Sequence, residues 1–322
     1  MKRALLLFAL PACLALACAG APSKPQTDAE LPAGAEAWSL FGRPLYPPVL
    51  PPDVRQQREM LSAQTEVAWQ IRPESPEAQL AMGRRYFDLG RVREAVAVFA
   101  KGFEQFPTSS YFLRYRAQGY LAQRHFAAAA ADVEKAFELL KGSRDSFEQD
   151  TVPNRRGVST TTVNWNLWAI LGHARYAEGD FVRAAAAWQK AVEASPPHDA
   201  EAVARLWLYL SLVAGGKAAE APAVLAPVQR EWEMMGDPAA HRLLLFLRDG
   251  GDEAALLAQA RGGALDVDLV EIALALRHLG RGERPAAVDL LHRVEARDRW
   301  TDPPHILAEA TLKRLGERPA KR

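Results

Sequence analysis

The chain has 322 residues, with 40 Lys and Arg against 39 Asp and Glu, so its formal net charge is +1 at pH 7. Such a balance lacks the basic excess that attracts phosphate backbones and anionic membrane surfaces. Charge alone therefore argues against nucleic acid or a lipid surface as the partner. Hydrophobic residues form 49% of the chain, and a chain of this length can bury a sizeable core.

Residues 1–17 have the pattern of an export signal. Lys2 and Arg3 form a cationic head, residues 4–16 are almost wholly apolar, and the small Ala17 precedes Cys18. The apolar run is shorter than the roughly 20 residues of a membrane-spanning helix. A permanent anchor or a frayed apolar N-terminus is the alternative. Cleavage before Cys18 also removes Cys13, the one other cysteine, so the mature chain would depend on apolar burial rather than on a disulfide.

The residues from Leu14 to Cys18 resemble the lipobox of bacterial lipoproteins. In that family the signal is cut before the cysteine and its thiol is acylated, so the resemblance implies lipidation at Cys18. Ala19, where an Asp would imply retention, implies sorting to the outer membrane. Residues 18–38 are rich in Ala, Pro and Gly, which predicts a flexible tether.

Residues 39–75 combine an extended segment with a helix. Prolines alternate with apolar residues up to position 52, which favours an extended chain lying on the folded body. Asp53 is then the predicted cap of a helix that ends at Ile71, just before Arg72 and Pro73.

A repeating pattern begins at residue 76. Small residues at Gly83, Ala95 and Gly102 would let two helices approach closely, while Tyr86 and Phe99 would fill the space between them. The spacing resembles the tetratricopeptide (TPR) repeat, which has a period of about 34 residues. We therefore predict an all-α TPR-type solenoid of antiparallel helix pairs. It divides into repeats 1–2 (76–143), an inserted loop (144–164), repeats 3–4 (165–235) and degenerate helical repeats (236–322).

Signal, lipobox, tether and repeats together resemble bacterial TPR lipoproteins, including those that scaffold murein hydrolases and those that act as pilotins for secretins. The resemblance implies a non-catalytic adaptor, lipid-anchored at the outer membrane and facing the periplasm. The implied partners are envelope proteins, with peptidoglycan hydrolases and secretion or motility components as candidates. A pilotin-like assembly factor and a protein that binds a small molecule or glycan are the alternatives.

The first helix of each repeat should line the concave face and form a groove for a partner. Aromatic, arginine and amide side chains at those positions have the composition of a peptide-binding surface. The predicted groove residues are Glu77, Leu80, Arg84, Phe87, Tyr111, Arg114, Gln118, Asn166, His173 and Tyr176. A solvated face without function is the alternative interpretation.

The inserted loop is a second candidate contact site, because Asn154, Arg155 and Arg156 combine turn residues with two cations. A plain flexible loop explains the insertion equally well. The seven histidines are scattered, and neither metal-ligand spacing nor a nucleophile motif is present. The sequence thus predicts no metal, no cofactor and no catalytic residue.

Overall fold

The computed structural model describes residues 31–148, 158–196 and 198–320, and the regular structure in these ranges is almost entirely helical. Two short strands, β1 (Ala37–Trp38) and β2 (Pro44–Leu45), pair in antiparallel fashion. The helices are α1 (Pro52–Ile71), α2 (Pro76–Asp88), α3 (Val92–Gln105), α4 (Ser110–Ala122), α5 (Phe126–Leu140), α6 (Val163–Glu178), α7 (Phe181–Glu193), α8 (Asp199–Ala214), α9 (Ala221–Leu225), α10 (Ala239–Asp249), α11 (Glu253–Arg261), α12 (Val267–Gly280), α13 (Arg284–Ala296) and α14 (Pro303–Arg314). This confirms the predicted all-α fold. The predicted signal peptide, Cys18 and residues 19–30 of the predicted tether lie outside the described residues.

The pairs α2–α3, α4–α5 and α6–α7 are the helical hairpins of the TPR-type array. Each glycine predicted for close approach lies against an aromatic ring. A Cβ atom on Gly83 would lie 2.3 Å from the Phe99 ring, and one on Gly172 would lie 2.5 Å from Nε1 of Trp188. Contacts this short are possible only without a side chain, so the small and large residues fit together as the repeat pattern predicts.

Local sequence explains where several helices begin. The side chains of Ser75, Thr162 and Asp180 accept hydrogen bonds from backbone N–H groups in the first turns of α2, α6 and α7. Helix α1 differs from the prediction, because it begins at Pro52 and Asp53 lies in its first turn without capping it. The proline at the start of α1 lacks an N–H that would need a partner.

The second hairpin of the region 165–235 is incomplete. Helix α8 is long, but its partner α9 has only five residues, and residues 226–238 form turns and irregular backbone. The Asp199 side chain holds this irregular segment by accepting hydrogen bonds from the N–H groups of Met235 and Gly236, at 2.9 and 2.7 Å. The array therefore departs from regular repeats after α8.

Helix α14 lies inside the array instead of closing its end. Its residues 305–312 are all buried, including the charged Glu309. Ile306 packs in the cluster formed by α4, α5 and α6, while Leu307 and Leu312 pack in the cluster formed by α6, α8, α12 and α13. A helix that is apolar on most faces must be covered on most faces, and α14 accordingly packs between α6, α12 and α13.

Residues 31–50, here named the N-terminal arm, join the two ends of the array. The Glu36 carboxylate accepts a hydrogen bond from the N–H of Arg93 at the start of α3, 2.8 Å away. The Tyr46 carbonyl accepts a bond from Nε1 of Trp300 at 2.6 Å, and the Leu40 carbonyl accepts one from Lys313 at 2.8 Å. The predicted tether over 18–38 is therefore wrong for residues 35–38, which are packed against the body.

In the described ranges we find no helix that combines the length and the apolar character of a membrane span.

Candidate functional site

The predicted groove residues fall into two groups according to where the structure places them. Glu77, Leu80, Arg84 and Tyr111 line a cavity of about 570 Å³ between α2, α4 and the start of the insertion. We call this cavity the N-terminal pocket. The remaining predicted residues pack against or bond to other parts of the chain, and one of them, His173, borders a second cavity.

The N-terminal pocket has aromatic walls and a charged interior. Phe106, Tyr115 and Phe147 complete its lining, together with the hydroxyl side chains of Thr108, Ser109 and Ser146. One guanidinium nitrogen of Arg84 donates a hydrogen bond to the hydroxyl of Tyr115 at 2.9 Å, and the guanidinium lies 5.3 Å from the centre of that ring. Burial raises the pKa of Tyr115 above its ordinary value.

The insertion forms one wall of this pocket. Phe147 and Thr162 pair across the insertion, so its two ends lie side by side. The buried Glu148 carboxylate accepts hydrogen bonds from the Tyr115 hydroxyl at 2.6 Å and from the Asn166 amide at 3.2 Å. It also lies 3.1 Å from the guanidinium of Arg114. The insertion is thus fixed onto α4 and α6 by one carboxylate with three partners.

This arrangement corrects the prediction for Arg114, Gln118 and Asn166. Arg114 is buried, and it donates a hydrogen bond to Gln118 at 2.7 Å besides its ion pair with Glu148. Asn166 uses its amide on Glu148, Thr161 and Thr162. Arg114 and Asn166 hold the insertion through the Glu148 carboxylate, and Gln118 is bonded to Arg114.

Three further groove predictions are also wrong. Tyr176 is fully buried under Arg314, which donates hydrogen bonds to the carbonyls of Tyr176 and Ala177 at 3.1 and 3.0 Å. Phe87 packs on the cluster that contains Trp300 and Leu45 of the N-terminal arm. His173 is also buried, although one side of it borders a different cavity that is described below.

The sequence pattern missed Phe106, Tyr115, Phe147 and Glu148. The repeat pattern singles out neither Phe106 nor Tyr115, and Phe147 and Glu148 are in the aperiodic insertion, where no pattern applies. The loop candidates Asn154, Arg155 and Arg156 lie outside the described residues. Within 31–148, 158–196 and 198–320, no group of three His, Cys, Asp or Glu side chains is arranged to hold a metal ion.

Comparisons with known proteins give matches to solved structures only. No family model matches the chain, and no curated protein matches it. The structure of YrrB, a TPR protein with an unusual peptide-binding site, is 15% identical over 77% of this chain and 97% of that chain, with a TM-score of 0.41. A tetratricopeptide repeat protein from Parabacteroides merdae is 12% identical over 80% of this chain and 98% of that chain, with a TM-score of 0.44.

The Cut9–Hcn1 hetero-tetramer of the APC/C is 18% identical over 82% of this chain and 46% of that chain, with a TM-score of 0.47. This chain therefore spans about half of that protein. The likeness to these structures concerns the helical-repeat fold.

Proposed function

We propose that this protein is a non-catalytic scaffold of the bacterial cell envelope that binds a segment of a partner protein in the N-terminal pocket. The observation that carries the proposal is the contrast within the concave face. Helix α14 packs against α6, and its Arg314 covers Tyr176, whereas a cavity of about 570 Å³ stays open between α2 and α4. A partner segment has room there.

The lining of the pocket defines the kind of segment that fits. Leu80, Phe106 and Phe147 offer an apolar surface for one aliphatic or aromatic side chain of the partner. Arg84 and the hydroxyls of Thr108 and Ser109 are donors for the carbonyl groups of an extended backbone. An apolar anchor surrounded by polar contacts is the usual composition of a protein interface.

The cellular setting of the proposal comes from the sequence. Acylation of Cys18 would hold the protein at the outer membrane, facing the periplasm, and residues 19–30 would separate the lipid from the folded body. Confinement to a surface raises the effective concentration of two partners that reach the same scaffold. Envelope proteins, including peptidoglycan hydrolases and secretion or motility components, are the proposed partners.

The proposal is tested by crosslinking in cells followed by mass spectrometry, with the lipidated full chain. The variant is Phe147→Asp, at the rim of the pocket, where the side chain is 59% exposed. Val182→Asp on α7 is the matched control, because its apolar side chain is 61% exposed and lies outside the pocket. Both changes place a charge on an exposed position, so both variants should fold.

We expect one set of envelope proteins to crosslink to the wild type and to Val182→Asp, and to be lost from Phe147→Asp. The identities of these proteins distinguish a scaffold of wall enzymes from a pilotin. Equal crosslinking of all three chains would show that the pocket is not the binding site.

The membrane attachment has a separate test. Cys18→Ala should move the protein from the membrane fraction to the periplasmic fraction, because the thiol that carries the lipid is gone. A Cys18→Ala chain that stays in the membrane fraction would contradict the lipoprotein proposal.

A further inference from the structure

A second cavity, of about 410 Å³, lies where several helices begin. Its rim is formed by the first residues of α8, α10, α12 and α14 and by Thr160 and Thr161 of the insertion. Its floor contains Trp165 and His173 of α6 and Trp207 of α8. We call it the acidic mouth. It shares no lining residue with the N-terminal pocket.

The floor of the acidic mouth is aromatic and neutral. His173 is 8% exposed, and its ring meets the rings of Trp188 and Trp207 edge to face, with centroids 4.8 and 5.2 Å apart. Burial lowers the pKa of His173 to about 3, so the imidazole carries no charge at neutral pH. Nothing in the floor therefore repels a cation, and the Trp rings offer faces that attract one.

Two buried polar atoms of the floor have no hydrogen-bond partner in the described part of the chain. They are Nε2 of His173 and Nε1 of Trp165, whose side chain is 7% exposed. Buried polar groups are normally paired, and an unpaired one at the base of a cavity is a reason to expect a ligand or an ordered water. A neutral imidazole nitrogen can accept a hydrogen bond from an ammonium or guanidinium group.

The rim carries an excess of carboxylates. Asp199, Asp237, Asp266 and Asp302 line it, against the single cation Arg299 among the described lining residues. Arg299 already pairs with Asp266 at 3.3 Å and with Asp302 at 2.8 Å, and it also reaches Asp268 at 2.9 Å. It has little capacity left for the other two carboxylates.

Asp199 and Asp237 are the carboxylates without a cationic neighbour. They accept hydrogen bonds from backbone N–H groups, those of Met235 and Gly236 for Asp199 and those of Ala239 and Asp266 for Asp237. The partial positive charge of each helix N-terminus, roughly half an elementary charge, offsets only part of the negative charge. Burial is the main cause that raises the pKa of Asp237, and the nearby charge of Asp266 raises it further.

We propose that the acidic mouth binds an organic cation, an ammonium or guanidinium group on an apolar stem, with the charge near Asp199 and Asp237 and the stem over Trp165 and Trp207. Carboxylates on the rim disfavour anions. The apolar side chains of Val203, Ala240 and Leu269 suit a hydrocarbon stem rather than a hydrated inorganic ion. The cation could come from a free amine or from a basic side chain of a peptide, and the same chemistry recognises both.

The experiment measures binding to the full mature chain by isothermal titration calorimetry, with tryptophan fluorescence as a second signal. The free-amine probe is n-hexylamine, and 1-hexanol is its neutral analogue. The peptide probe is acetyl-Gly-Lys-Gly-amide, and its neutral analogue has norleucine in place of lysine. Binding of both cationic probes, or of either one, supports the proposal and identifies the source.

The variant is Asp237→Asn, which removes the charge and keeps an oxygen for the N–H of Ala239. Asp252→Asn is the matched control, since Asp252 likewise accepts bonds from the first turn of a helix, α11, but lies outside the cavity. We expect the cationic probe to bind about tenfold more weakly to Asp237→Asn, as for the loss of one charge contact, and unchanged to Asp252→Asn.

Three results would overturn the proposal. The neutral analogues bind as tightly as the cations, or Asp237→Asn binds the cation like the wild type, or neither cationic probe binds. Circular dichroism of both variants, expected to match the wild type, shows that any loss is local.

Discussion

The concave face of the helix array has two parts that differ in what lies on them. Between α2 and α4, the insertion covers one side and leaves the N-terminal pocket open. Along α6, helix α14 packs on the face and Arg314 covers Tyr176, so that the acidic mouth is the opening that remains beside it. The same kind of helical hairpin therefore borders an open pocket in one part and is largely covered by another helix in the other.

The difference follows from the polarity of the residues on each part of the face. Arg84 and Glu77 on α2 are polar and keep contact with solvent, so an open cavity costs little there. On α6, Leu167 and Ala174 are completely buried. Ile306 of helix α14 packs in the same apolar cluster, and its burial stabilises the fold by about 1.5–3 kcal/mol.

The largest loss of stability is expected from Glu309→Gln. Glu309 on α14 pairs with Arg124 at 2.7 Å, and both side chains are almost fully buried. Loss of the carboxylate charge leaves the guanidinium buried without a counter-charge, which should lower the free energy of unfolding by about 3–5 kcal/mol. Urea unfolding of the variant and the wild type at pH 7 measures this loss in the free energy of unfolding.

Glu138→Gln is the control for that change, because Glu138 pairs with Lys135 at the surface and its loss should have no measurable effect. If Glu309→Gln were as stable as the wild type, α14 would not be fixed on the array in the way described.

An intermediate loss of stability is expected when the pH is lowered from 7 to 5, because His173 is protonated in the unfolded chain and not in the folded chain. Its pKa is about 3 in the folded chain against about 6.5 when unfolded, so at pH 5 the unfolded chain binds a proton that the folded chain does not. Stability contributed by this group should fall by about 2 kcal/mol between pH 7 and pH 5. Urea unfolding at both pH values measures the loss.

The stability of His173→Leu should lose about 2 kcal/mol less than that of the wild type between pH 7 and pH 5. An identical pH dependence in both proteins would mean that burial does not lower the pKa of His173 in the folded chain.

The smallest effect is expected from Glu148→Gln, which repeats the Glu309 substitution at the open part of the face. Arg114 would keep its hydrogen bond to Gln118 and its place 4.2 Å from the centre of the Tyr115 ring, and it lies near the N-terminal pocket, where water is close. We expect a loss of about 1 kcal/mol in urea unfolding, smaller than for Glu309→Gln. The reverse order would show that the insertion contributes more than α14 to closing the structure.

Much of the fold could be predicted because the repeat pattern is local. Gly83 and Gly172 lie against Phe99 and Trp188 as the spacing of small and aromatic residues requires. The groove was predicted less well. Arg84 and Tyr176 occupy equivalent kinds of position on first helices, yet one lines an open cavity and the other is covered by Arg314. No pattern on α6 shows that a helix more than a hundred residues later will cover it.

The sequence by itself determined the hairpins α2–α3, α4–α5 and α6–α7 and their close packing, because helix periodicity, capping residues and glycine contacts act over a few tens of residues. Only the tertiary structure decided which part of the concave face stays open. That outcome depends on long-range contacts, such as Arg124 with Glu309 and Trp300 with Tyr46, between segments whose own sequences do not show that they will meet.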